Sequence, residues 1–584
     1  MPKPRVVRGD PDRKAGMTHA QSRMSAKRGV GIRAAPVLDE EHPQPLGRRS
    51  EVVFRVDGTQ HRIACHAVVK RVDEAAERLL SADGLVKCHR LVRGHDRFVG
   101  IHWSYSPRTV SLMTTPLPET YDLIVVGLGP GGEEVAERMA EAGWSVLGID
   151  RHLVGGECPY YGCIPSKMVI RGAAVLAEGG RVNILSSGRA DIAPDYRPVG
   201  TRIRDEATDN WNDKVAVERF ERLGGTFVRG AGKLAGRADD GSVQVDVGGS
   251  TYRAPHVVIS VGTSPAIPPI PGLAELRGKG GPDSPIWTNR DVLRAPEAPA
   301  SMVVLGGGGI GVELAQAFGR FGTRVTVVEA SERMVSVEEP RASEVLAEVF
   351  RREGIELHLG VGATAVGAGG DGVEVTLANG STVTGEKMLV CVGRRSNLAD
   401  VALDKVGLDP SARTLDVDDQ MRVVGVNGLY GIGDITGRGA FTHVSVWQAR
   451  VLIAHLLGRP NLFGGYHGLA WTSFTDPEIG RVGLSESQAR ERGLRVRTGY
   501  ATIASSTRGW IHGPGNDGFI LLVEDVDRGV LVGATVMSPY GGEILGALTA
   551  AVHAEIPTTT LTTMHYVYPT LHRGILGALD DLNS

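Results

Sequence analysis

Apolar runs of strand length alternate with glycine clusters and helical stretches through most of this chain, and twice they do so in the same order. Tyr121 to Val126 reads as a strand, Gly127-Leu-Gly129-Pro-Gly-Gly132 follows as G-x-G-x-x-G and opens a helical stretch, and the next apolar run ends at Asp150. The second copy is Ser301-Met-Val-Val-Leu305, then Gly306-Gly-Gly308-Gly-Ile-Gly311, closing with Val325-Thr-Val-Val-Glu329. Such a unit suits a dinucleotide. The glycines let the backbone approach a pyrophosphate, the helix N-terminus faces that anion, and the distal acid accepts ribose hydroxyls. One glycine triplet alone says little, whereas two copies with their own strands and acids predict an α/β chain with two Rossmann-like dinucleotide-binding domains.

The pattern changes toward the N-terminus. Residues 1 to 50 are basic, rich in Arg and Pro and without periodicity, which predicts disorder. Val52 to Val56 is strand-like, and Ala67 to Leu80 is amphipathic. Cys65-His66 and Cys88-His89 lack the short spacing of a zinc site, so no metal is expected. A chain of 584 residues is too long for one core and suits three or four domains. With 64 Lys and Arg against 67 Asp and Glu, it offers no electrostatic footprint for nucleic acid or a membrane surface. No apolar run approaches the roughly 18 residues of a membrane span, and the basic start lacks a signal peptide's apolar segment. A soluble, cytoplasmic protein is the expectation.

The chemistry is announced by Gly155-Gly156-Glu-Cys158-Pro-Tyr-Tyr-Gly-Cys163-Ile-Pro165-Ser-Lys167. Two thiols five residues apart close only a short loop, which is strained and easily reduced, and a structural bridge gains little entropy from so short a loop. Pro165 suits a first helical turn, so Cys163 would sit at the positive end of a helix dipole, where a thiolate is favoured. Five cysteines in so long a chain do not make a disulfide framework; they fit a reducing compartment in which one pair cycles.

From about Met113 onward these motifs, in this order, resemble the pyridine nucleotide-disulfide oxidoreductases, the group of dihydrolipoamide dehydrogenase, glutathione reductase and mercuric reductase. Val257-Val-Ile-Ser-Val-Gly262-Thr-Ser-Pro265, Val392-Gly393-Arg394-Arg-Ser-Asn397, Tyr430-Gly-Ile-Gly433-Asp434 and Phe474-Thr-Asp-Pro477-Glu are similar to further segments of that family. The resemblance implies an N-terminal extension (1–112), a first part of an FAD domain (113–280), an NAD(P) domain (281–394), the rest of the FAD domain (395–469) and an α+β dimerisation domain (470–584). It implies FAD on Gly127, Gly129, Gly132, Asp150, Gly156, Lys167, Gly262 and Asp434, and a nicotinamide dinucleotide on Gly306, Gly308, Gly311, Glu329 and Gly393. In the implied mechanism Cys163 is the flavin-facing sulfur and Cys158 the interchange thiol, with Lys167 paired to Glu313 near the flavin. Glu329 favours NADH, because a 2′-phosphate there would face like charge, although Arg324 or Arg333 nearby leaves NADPH possible. A homodimer follows from the family's C-terminal domain.

The chain departs from the family at the acid-base site. Where relatives carry His-x-His-Pro-Thr-x-x-x-Glu, this sequence has Tyr566-Val-Tyr568-Pro569-Thr570-Leu-His572-Arg573, so Tyr568 replaces the catalytic His and Arg573 its Glu. A phenol of pKa about 10 is a poor base at neutral pH. Pro159-Tyr160 also departs from the usual apolar residue and Asn. Mercuric ion as substrate is disfavoured by the lack of vicinal C-terminal cysteines and of an N-terminal C-x-x-C; glutathione reduction is disfavoured by Glu329. The expectation is a dihydrolipoamide dehydrogenase-like enzyme acting on a small disulfide or dithiol. The alternatives are a diaphorase that reduces a quinone on the same scaffold and a non-catalytic redox-sensing flavoprotein.

Overall fold

The computed structural model describes residues 50–56, 59–65, 117–370 and 372–584. Two compact units divide the chain at Leu112 and Met113. In the first, strands Ser50–Val56 and Thr59–Cys65 pair as an antiparallel hairpin. The disorder expected for residues 1–49 and the amphipathic stretch Ala67 to Leu80 lie outside the described residues.

In the second unit both expected nucleotide folds are present. Leu123–Val126 is the middle strand of a five-stranded parallel sheet, flanked by Val146–Asp150 and His256–Ile259. Each of its four residues is no more than 3% exposed, and burial of each such side chain contributes about 1.5–3 kcal/mol. One edge of this sheet is Leu429–Gly431, which returns from beyond the second fold to pair with His256–Ile259. The second parallel sheet is centred on Ser301–Leu305, between Arg324–Glu329 and Lys387–Val390. Short strands Thr263–Pro265 and Arg394–Ser396 pair where the chain leaves one fold and re-enters it.

From Ala470 the architecture changes. Five antiparallel strands, in the order Ala470–Ser473, Glu478–Gly483, Val530–Ser538, Phe519–Asp525 and Val496–Thr502, carry the helices Gly541–His553 and Gly574–Leu582. Their apolar residues form a core of their own around Val482, Leu522, Val536 and Leu548. The chain is thus α/β through the nucleotide folds and α+β at its C-terminal end.

Candidate functional site

Each fingerprint builds a cradle by the same local logic. Gly127 and Gly306 adopt φ of +94° and +107°, and a Cβ on either would lie within 2.6 Å of the carbonyl oxygen of Ser260 or Cys391. Gly132 and Gly311 each press on the carbonyl oxygen of the first glycine, at 2.0 Å from an added Cβ. The middle glycines differ: no protein atom lies within 4 Å of where a Cβ on Gly129 or Gly308 would be. Packing therefore does not require glycine there, and the close approach of a bound pyrophosphate does. The acids face the same turns. Leu128 N–H donates to Asp150 Oδ2 at 2.7 Å, and Gly307 N–H donates to Glu329 Oε2 at 2.6 Å. Burial raises the Asp150 carboxyl above its ordinary range, against the pull of the Leu128 and His152 N–H groups.

A cavity of about 940 Å³ opens from the first cradle, lined by Gly127, Gly129, Asp150, Gly156, Cys158, Cys163, Lys167, Gly262, Glu313 and Asp434. A second, of about 680 Å³, is lined by Gly306, Gly308, Glu329 and Gly393. The two share Asn289, Gly309, Ile310 and Arg394 as walls, so the cavities adjoin. Bare middle glycines, a strand-end acid and a long cavity fit FAD in the first and a nicotinamide dinucleotide in the second. Asp434 accepts from Thr263 Oγ1 at 2.5 Å, and Arg394 donates to that hydroxyl at 2.7 Å, which ties the return segment to the cradle.

The cysteine loop is fixed to the first fingerprint. Gly155 N–H donates to Leu128 O at 2.7 Å, and a Cβ on Gly156 would stand 2.9 Å from Gly129 Cα. The adjoining Glu157 accepts from Asn289 at 2.9 Å and from Arg290 at 2.6 Å, which holds the loop against the linker between the folds. Cys163 is the first residue of the helix Cys163–Leu185, with Gly162 as N-cap and Pro165 in the first turn. It opens to the cavity, and the start of a second helix, Thr442–Leu456, is brought up to it: Thr442 Oγ1 lies 3.3 Å from Cys163 Sγ. Both cysteines are free thiols. A hydrogen bond from Cys158 brings the Cys163 thiol down to about 6, helped by Thr442 and by the charge of Lys167. The same bond, with burial, pushes Cys158 upward. Cys391, by contrast, lies beneath the second glycine turn, where desolvation pushes its thiol up to about 12.

Lys167 and Glu313 meet although 146 residues apart: Nζ to Oε2 is 2.9 Å, with Glu313 buried. One face of the helix Gly309–Arg320 does more than this. Glu313 Oε1 accepts from Phe474 N–H at 2.8 Å, Gln316 bonds both the N–H and the carbonyl of Asp476 at 2.7 and 2.9 Å, and Arg320 reaches the Asp476 carboxylate at 2.9 Å. Phe474 is thereby held with its ring 4.4 Å from the Lys167 ammonium.

Tyr568 is not brought into either cavity. It is 64% exposed, its hydroxyl 3.5 Å from Thr507 Oγ1 and the Arg573 guanidinium over its ring. Arg333 donates to the carbonyls of Ser336 and Glu338 and to Ser343. Among the described residues no group of three or more His, Cys, Asp or Glu could hold a metal ion. Thr442 and Gln316 had no part in the reading of the site from sequence, and Glu157 and Phe474 entered it only as members of their motifs, since each makes a tertiary contact that no local spacing announces.

Comparison with known proteins covers the same stretch of the chain. The family model for pyridine nucleotide-disulphide oxidoreductases matches residues 121–449, and the model for that family's dimerisation domain matches 469–578. A dihydrolipoyl dehydrogenase of Haloferax volcanii is 30% identical over 478 residues, covering 79% of this chain and 96% of its own length. A mercuric reductase of Staphylococcus aureus is 28% identical over 462 residues, covering 78% and 81%. Among solved structures, LpdA of Mycobacterium tuberculosis superposes with a TM-score of 0.69 at 26% identity, covering 79% of this chain and 99% of that one. Two nucleotide cradles, the paired thiols between them and these matches place the chain in one family: it belongs to the pyridine nucleotide-disulphide oxidoreductases and is an FAD-dependent enzyme that moves electrons between NAD(P)H and a disulfide.

Proposed function

We propose that the chain is an NADH-dependent reductase of a small disulfide, or oxidase of the matching dithiol, of the lipoamide class, and that Cys158 and Cys163 carry the exchange. The observation that carries this reading is the division of labour between the two sulfurs. Cys163 stands on the cavity wall at two helix starts, its sulfur 3.3 Å from Thr442 Oγ1, a setting that favours its thiolate and leaves Cys158 to meet the outside substrate. Bound FAD supplies the two-electron relay between nicotinamide and disulfide. Asp150 and Asp434 would hold its ribose and ribityl hydroxyls, and the Lys167–Glu313 pair fixes a positive charge on the cavity wall.

The preference for NADH is supported by Glu329, which offers a 2′-phosphate only like charge, and by Arg333, whose guanidinium is already committed to loop carbonyls. A homodimer is supported by the match to a dimerisation domain and by the exposure there of Trp510, Val567 and Tyr568 at 75, 65 and 64%. The scarcity of cysteines supports a reducing, cytoplasmic setting. No helix among the described residues is long and apolar enough to cross a membrane.

Tyr568 favours a second reading. A quinone takes hydride without a thiol proton to move, and so does not need the His that Tyr568 replaces. Steady-state NADH oxidation against lipoamide, glutathione disulfide, mycothiol disulfide and a benzoquinone decides between them. The first reading requires lipoamide to be turned over and the rate to vanish in Cys158→Ser; a benzoquinone rate that survives Cys158→Ser, with no disulfide turned over, replaces it with the second.

A further inference from the structure

Between the strand Arg324–Glu329 and the helix Pro340–Arg352, residues 330–339 run along the second cavity, where Val335, Ser336 and Val337 form part of the wall. Val335 N–H donates to the Gly307 carbonyl at 2.8 Å, which lays the segment on the glycine turn itself. Val335 turns the chain at φ +43°, a left-handed value that a β-branched residue takes only where its surroundings impose it. Two residues on, Val337 is 72% exposed and stands on the cavity wall.

The far end of the segment is held by the C-terminal domain of the same chain. Arg481, fully buried on the strand Glu478–Gly483, donates through Nη1 to the Val337 carbonyl at 2.6 Å and through Nη2 to Gln488. Glu338, also buried, accepts from Trp471 Nε1 at 2.7 Å, and Glu339 accepts from the Glu486 N–H at 2.9 Å. Trp471 lies directly across from Arg481 on the neighbouring strand, its ring 4.9 Å from the guanidinium. The two charges are close but do not bond: Arg481 Nη1 is 3.9 Å from Glu338 Oε2, and neither that oxygen nor Arg481 Nε has a hydrogen-bond partner among the described residues. Burial pushes the Glu338 carboxyl up and the Arg481 guanidinium down. For stability alone this is a poor arrangement, because enclosing two charges costs as much as their attraction returns. What it does achieve is positional, since every contact ends on Val337, Glu338 or Glu339 at one side of the dinucleotide cavity.

We propose that Arg481 is a positioning residue for the nicotinamide dinucleotide: from outside the nicotinamide fold it sets Val335 to Val337 against the bound cofactor, so that part of the affinity for NADH resides in the C-terminal domain. The inference rests on the dinucleotide occupying the second cavity. Val337 then packs on it as an apolar wall. Arg481 lines neither cavity and acts only through the Val337 carbonyl, while Glu338 and Glu339 pin the next two residues so that the wall does not swing about that one bond.

The test is stopped-flow reduction of the flavin in the FAD-loaded, full-length protein across a range of NADH concentrations, which separates the apparent Kd for NADH from the limiting rate, with urea unfolding measured beside it. Arg481→Met, close in volume but without the donor, should raise the apparent Kd by about 10-fold and leave the limiting rate within about two-fold of the wild type. Arg481→Lys, which keeps a charged donor, should recover most of the affinity. Adding Glu338→Gln to Arg481→Met removes a carboxylate otherwise left buried without a counter-charge, so the unfolding midpoint should return toward the wild type while NADH binding stays weak. Affinity that recovers together with stability overturns the proposal, because Arg481 would then be structural only, and so does an unchanged Kd in Arg481→Met. Should Arg481→Met fail to fold, Val337→Asp decides from the exposed side: a carboxylate on that wall should weaken NADH binding by at least about 10-fold, and unchanged binding overturns the proposal. Failure of the reading of the second cavity is separate, since it would show as unchanged NADH affinity in Gly311→Val.

Discussion

The two fingerprints are near copies as cradles and unlike as neighbours. Both press the first glycine on a carbonyl, seat the third on the first, leave the second bare and turn a strand-end acid back to the glycine turn. Their helices then part company. Pro130–Glu141 buries Val135, Ala136 and Met139, an ordinary apolar face. Gly309–Arg320 buries Glu313 and Gln316 among its apolar residues and uses them to grip Lys167 and the Phe474–Asp476 segment. A nucleotide cradle is thus a portable unit, and what makes it part of an enzyme is carried one turn further along the helix.

The largest effect should come from breaking the cradles one at a time. Gly132→Val places a side chain on the Gly127 carbonyl and should yield protein without flavin absorbance, whereas Gly311→Val should remain yellow and lose reduction by NADH by at least about 100-fold. If both variants lose flavin alike, the cradles do not hold different nucleotides. Next, Glu313→Leu removes the buried partner of Lys167 and of Phe474 N–H. A loss of about 2 kcal/mol in urea unfolding is expected, less than for a fully buried pair because Lys167 is 36% exposed. The matching change Glu134→Leu, on the first helix, should leave flavin reduction by NADH unchanged, while Glu313→Leu slows it by about 10-fold.

A smaller change is expected at the acids. Glu329→Gln should raise the NADPH to NADH ratio of kcat/KM by about 10-fold, with little gain in NADPH affinity because Arg333 is engaged elsewhere. Finally, only the first cradle leads to a titrating thiol. The folded-state pKa of Cys163, about 6, lies below the ordinary thiol value, so its contribution to the reduced form's stability is complete above about 8.5 and is lost as pH falls through 6. The long-wavelength absorbance of that thiolate against bound flavin should fade as pH falls through about 6. In Cys158→Ala the midpoint should lie higher, because the donor to the Cys163 sulfur is missing.

Strand, glycine turn and acid were legible in the sequence because they lie within 30 residues and each is fixed by local sterics. The start of the redox helix was legible for the same reason, from Pro165 two residues after Cys163. The Lys167–Glu313 pairing was available only through family resemblance. Thr442 was silent and Phe474 marked only a family segment, since a hydroxyl beside a sulfur or a ring over an ammonium leaves no period or spacing. At the other end, Tyr568 was conspicuous in sequence for what it replaces, and within one chain it lines neither cavity.

The grip of Gly309–Arg320 on Phe474–Asp476 sets where this chain can be cut and rejoined. A nicotinamide fold exchanged at the two linkers alone, near Asn289 and Arg394, would bring a foreign helix face to Phe474, Asp476 and Lys167 and leave two backbone N–H groups without acceptors. A working chimera has to carry residues 474–476 and Lys167 along with the transplanted fold, so the smallest exchangeable piece is discontinuous and spans three segments of the chain.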